Sequence, residues 1–152
     1  MNRSVNFLVV DREVVIQPAD EPELGGNGAV FLKPVESGQW TATLEVVDTE
    51  TTYGFVYALS DSAGSAKPTW TPLSELPMSD VNVLCLVSRS RYPSPDKHDM
   101  WWQAIVDDME ESEIVSVDGG FAFRGTDGQL YAASIWQVDE KLVGVQFEIP
   151  QG

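Results

Sequence analysis

One histidine (His98), one cysteine (Cys85) and a run of four carboxylates in five residues (Asp107, Asp108, Glu110, Glu111) are the residues of this 152-residue chain whose types could do chemistry. A thiol with an imidazole base is a nucleophile pair. Catalytic thiols sit in exposed, electropositive places, whereas Cys85 lies inside VNVLCLVS and reads as a small buried side chain. His98 with Asp96 and Asp99 could contribute to a metal site, but zinc centres normally combine several His or Cys ligands. The run Pro93-Ser94-Pro95-Asp96-Lys97-His98 reads as an exposed loop. No G-x-S-x-G elbow accompanies a Ser-His-Asp set.

The carboxylates of DDMEESE (107–113) do not alternate and lack the glycine of a calcium loop. Two carboxylates across a cleft could hydrolyse a glycoside, but among 24 acids some pair meets that separation by chance. Gly25-Gly26-x-Gly28 has no strand-turn-helix setting for a phosphate. The residues therefore imply no metal and no cofactor, and a non-enzymatic protein is favoured.

The acidic run points instead to recognition. From Asp96 to Asp118 there are eight acids and one base, Lys97, within a chain of net charge −15. Such a charge repels nucleic acid and anionic membranes. The cluster Arg89, Arg91 and Lys97 is too thin to reverse that. A basic protein surface is the partner that fits. Trp101 or Trp102 could anchor it, with Asp107, Asp108, Glu110 and Glu111 steering it. The plain alternative is a solvated turn beside two core tryptophans.

The elements that must position these residues are mostly strands. VNFLVV (5–10) and EVVIQ (13–17) are short strands broken at Asp11-Arg12. Residues 18–27 are a loop with two prolines and a Gly-Gly pair. AVFLKPV (29–35) contains Pro34 and reads as an edge strand. QWTATLEVV (39–47) alternates with period two, and with YGFVYAL (53–59) it predicts a hairpin. PLSELP reads as one helical turn. VNVLCLV (81–87) is a near-continuous apolar run, as in a central strand covered on both faces.

For residues 99–112 a helix would crowd four acids at the negative end of its dipole. A strand from Met100 to Val106 followed by an acidic turn is favoured, making a hairpin arm with EIVSVDG (113–119). This would repeat the tryptophan strand, acidic turn and strand of residues 40–58. Gly125-Thr-Asp127-Gly128 predicts a second hairpin and Asp139-Glu140 a third. The expected fold is mainly β, with an α+β alternative: antiparallel hairpins in a small barrel or sandwich, with little helix.

Residues 60–69 (SDSAGSAKPT) are the best boundary. They divide a β segment at 1–60 from another at 70–152 across a linker-like loop at 61–69, unless 1–152 is one compact domain. A single cysteine forms no internal disulfide. The apolar run at 7–10 is too short for a secretory signal, and no run approaches membrane-helix length. A cytoplasmic protein is expected.

Trp70, Leu76-Pro77, Val83-Leu84 and Trp136 follow one another in a pattern that resembles a family of short uncharacterised domains of phage and prophage genomes. The resemblance spans 70–136 and implies a mobile-element origin and a small β fold. It departs from the family in a longer middle and in lacking a polar residue with Met-Pro near Trp136. The favoured function is an inhibitor, antidote or accessory factor that recognises a basic protein. The alternatives are a structural or assembly component, for which self-association is left open, and a small-ligand β-barrel or enzyme.

Overall fold

A computed structural model describes residues 2–26, 28–64, 66–73, 83–125 and 132–151. Eleven strands and one α-helix follow one another among these residues: β1 (Asn2–Val9), β2 (Val14–Pro18), β3 (Val30–Leu32), β4 (Gly38–Val46), β5 (Thr52–Ser60), β6 (Thr71–Pro72), β7 (Val83–Ser88), α1 (Pro95–Asp108), β8 (Ile114–Val117), β9 (Gly120–Arg124), β10 (Ala132–Val138) and β11 (Lys141–Pro150).

The strands form two antiparallel sheets, one ordered β1-β4-β5-β11-β10-β6 and the other β3-β2-β7-β9-β8. The architecture is a sandwich rather than a closed barrel. Each sheet takes strands from both sides of residues 61–69. Inward-pointing side chains of alternate positions fill the space between the sheets. Trp40, Ala42 and Leu44 of β4 meet Phe121 and Phe123 of β9 and Phe147 of β11 there. The period-two pattern of residues 39–47 is this inward stripe, and β4 and β5 pair from Trp40↔Ser60 to Val46↔Gly54 as the alternation predicts.

β7 is the middle strand of the five-stranded sheet, and its six residues are all buried. Leu84 and Leu86 point into the sandwich, while Val83, Cys85 and Val87 point out of it. That outer face needs a cover, and α1 supplies it. His98, Ile105 and Met109 are buried against the sheet, with Trp101 and Trp102 half-buried beside them. The spacing 98, 101/102, 105, 109 is a helical stripe.

Residues 99–112 are therefore not the strand and hairpin arm that the acids suggested. The helix runs to Asp108 despite the charge at its end. A dipole penalty of about 0.3–1 kcal/mol per exposed acid is smaller than the gain from covering an apolar sheet face, where one fully buried Ile alone contributes about 1.5–3 kcal/mol. Local signals also favour the helix start. Ser94 is the N-cap residue, Pro95 occupies the first turn and Asp96 lies at its positive end. The loop expected over 92–99 accordingly ends at Pro95, and no tryptophan strand is repeated there. The strand at 113–119 is present as β8, but its partner is β9.

The hairpin predicted across Gly125–Gly128 is a second correction. β9 and β10 lie in different sheets, so the chain crosses the sandwich between them. Residues 126–128 of that turn lie outside the described residues, as does most of the helical turn expected in PLSELP, including Leu76-Pro77. The third hairpin is present: β10 and β11 join at Val138↔Lys141, with positive φ at both Asp139 (52°) and Glu140 (69°). Two successive left-handed residues are the geometry of a tight type I′ hairpin turn.

Candidate functional site

The acidic run ends α1. Met109 N–H still bonds the Ile105 carbonyl at 3.0 Å, and Glu110 and Glu111 donate backbone N–H groups to the Asp107 and Asp108 carbonyls at 3.2 Å. The helix thus closes in a tighter final turn, which displays the four carboxylates outward. All four are exposed, and none lies within ion-pair distance of a cation among the described residues. The Arg3 guanidinium donates to the Glu111 backbone carbonyl at 2.9 Å, offsetting part of the negative helix end without pairing any of these acids. Asp107 accepts from Gln103 Nε2 at 3.0 Å, one turn back on the same face.

Three of the four acids share a groove. Asp107, Asp108 and Glu111 line a volume of about 470 Å³ with Val5, Ile114 and Val115 among its walls. β1 is an edge of the six-stranded sheet and β8 an edge of the five-stranded one, so the groove runs where the two sheets' free edges approach under the helix end. Glu110 lies outside it, with Glu111 in an adjoining volume of about 290 Å³ whose walls include Arg3, Tyr53, Glu113 and Arg124. There Tyr53 Oη lies 3.4 Å from Glu113 Oε2. Burial and then the Glu113 charge hold the phenol above its ordinary range.

Trp101 and Trp102 are on α1 but line neither volume. Trp101 packs its ring 5.2 Å from Tyr92 and 5.6 Å from His98, so much of it serves the helix–sheet contact. Its Nε1 is buried with no acceptor among the described residues. Sequence reasoning missed Val5, Ile114 and Val115. Ile114 and Val115 follow Glu111 by only three and four residues, whereas Val5 comes from β1, far from the acids in the chain, and only the arrangement of the sheets brings it there.

The other chemical candidates are structurally committed. His98 is buried, not in a loop, and donates from Nε2 to the Ala19 carbonyl at 2.8 Å. The Cys85 thiol lies 3.4 Å from the Gln17 carbonyl, and burial pushes it far above its ordinary range, so it is not a ready nucleophile. Tyr92 donates to the Glu21 carbonyl, and burial also raises its phenol. These bonds fasten the loop after β2 to the start of α1. Among the described residues no three His, Cys, Asp or Glu side chains are grouped so as to hold a metal ion. No helix there is long and apolar enough to cross a membrane. No family model, curated protein or solved structure matches this chain.

Proposed function

We propose that the chain is a small non-enzymatic binding protein that recognises a basic protein surface, as an inhibitor, antidote or accessory factor working in the cytoplasm. The observation that carries this reading is the groove under the end of α1. Three carboxylates without ionic partners stand at the negative pole of a helix, above apolar wall residues, between two free strand edges. A cationic segment gains charge attraction from the acids and covers the half-buried Val5, while Ile114 and Val115 form a floor that the fold itself already buries. The placement costs the fold some stability, which supports a role for these acids outside the fold. With a net charge of −15, encounter with a basic partner is fast and depends on salt. The phage-like pattern at 70–136 adds a mobile-element setting to the same proposal.

The test is affinity capture from lysate with the wild type and with Asp107→Asn/Asp108→Asn/Glu110→Gln/Glu111→Gln, at low and high salt. A basic protein that the wild type captures, and that the variant and high salt both release, is the expected result. Equal capture by the two proteins would overturn the acidic groove as the recognition surface.

A further inference from the structure

A second groove, sharing no residue with the acidic one, lies where the loop after β1, the end of β3 and the end of β7 meet. Its volume is about 850 Å³, within the range of about 300–1,000 Å³ typical of small-molecule sites. In a chain with only nine Lys and Arg, three of them, Arg12, Lys33 and Arg89, line this one place.

The polar groups of the groove divide into two sets. Glu13 accepts twice from Arg89, at 2.9 and 3.1 Å, and the Arg89 guanidinium carbon stands 5.2 Å from the centre of the Phe31 ring. Asp11 accepts from the Ser90 N–H at 2.6 Å and from its hydroxyl at 2.9 Å. These groups satisfy one another and hold the walls. Arg12 and Lys33 remain exposed, with no ionic partner among the described residues. Between and beside them are Pro34 and Leu24, the latter 38% exposed although it is a large aliphatic side chain. Phe31, equally exposed, continues the apolar surface.

We infer that this groove binds a small amphipathic monoanion, such as an aliphatic carboxylate. Its charged end would be held by Arg12 and Lys33, and its apolar body would lie on Leu24 and Pro34. Three bases against two acids leave the lining with a single uncompensated positive charge, which matches one negative charge on the ligand. A polyanion gains little there and meets the repulsion of the remaining surface. Beyond about 10 Å at ordinary salt that repulsion is screened, so a small anion feels mainly the groove itself. Exposed ion pairs are individually weak. The apolar body therefore supplies much of the affinity, and the two cations supply the selectivity for charge.

The test titrates the protein with octanoate, octanol and octyltrimethylammonium, read by calorimetry and by amide chemical shifts. Octanoate binds at least about tenfold more tightly than octanol, equivalent to about 1.4 kcal/mol, and shifts the amides of Arg12, Leu24 and Lys33. Arg12→Gln/Lys33→Gln brings octanoate down to the affinity of octanol, while Leu24→Ser weakens both. Among the described residues the Arg12 and Lys33 side chains make no hydrogen bond or ion pair, so unchanged melting of the double variant accompanies the result. Octyltrimethylammonium binding as well as octanoate, an unaltered octanoate affinity in the double variant, or shifts confined to other residues would each overturn the assignment.

Discussion

Neutralising the acidic end of α1 should make the protein more stable. Asp107 and Asp108 occupy the last helical turn, where the dipole acts in full, and Glu110 and Glu111 follow it immediately. An exposed acid at that end costs about 0.3–1 kcal/mol, and the effect fades beyond the last turn. Counting the outer pair at half weight gives about 0.9–3 kcal/mol for the four. Like-charge neighbours three and four residues apart add a few tenths of a kcal/mol per pair. Little is lost in exchange, because the acids have no ionic partners and an asparagine at 107 keeps an acceptor for Gln103.

In a chain of this size about 1 kcal/mol moves the midpoint by roughly 2–4 °C, so the quadruple Asn/Gln variant melts about 2–12 °C higher at low salt. In about 1 M salt, where screening extends only about 3 Å, most of the gain disappears. Thermal and urea unfolding at both salts measure it. Glu50→Gln/Glu140→Gln, two exposed acids in turns away from α1, is the control for net charge. It should gain less than Asp107→Asn/Asp108→Asn. An unchanged or lower midpoint in the quadruple variant at low salt would refute the reasoning, since the acids would then be engaged in holding the fold.

Three further outcomes follow from the packing, the titration and the turn. Ile105→Ala removes a side chain 2% exposed between α1 and the five-stranded sheet, and should cost about 2–5 kcal/mol in urea unfolding, with a smaller loss counting against the helix as the sheet's cover. The Cys85 thiol is raised by burial above its ordinary value near 9. Its contribution is therefore present below the ordinary value and falls as the unfolded chain's thiol ionises, steepening the loss of stability by at most about 1.36 kcal/mol per pH unit. Cys85→Ala should shed that extra slope between pH 9 and 10 in urea midpoints measured across this range, and an unchanged slope would contradict the burial of the thiol. At the β10–β11 turn Glu140 holds φ 69°, so Glu140→Gly should stabilise by about 0.5–1 kcal/mol, and a lower melting midpoint would argue against the type I′ geometry.

What was legible in the sequence was whatever two neighbouring segments decide between themselves. The alternation of Trp40, Ala42 and Leu44 is a property of one strand, and its pairing with residues 52–60 spans a short turn, so both could be read directly. The crossing from β9 to β10 could not, because two alternating runs around a glycine-rich turn look alike whether they share a sheet or face each other across a core. The helix at 95–108 was hidden for a different reason. Its charges argue against it locally, and its justification lies in β7.

The sequence VNVLCLV is apolar on both faces, which requires that something cover the outer face of a central strand. Val15, Val87 and Ala122 share that demand. A helical stripe of His98, Trp101, Ile105 and Met109 was the available answer, and it outweighs an end-charge penalty of about 0.3–1 kcal/mol per acid. Had that demand been carried through, the acids would have been placed at a helix end and not in a hairpin turn. The recognition reading rests on the same balance: the groove places charges where the fold gains nothing from them, beside strand edges that no other strand of the described residues pairs.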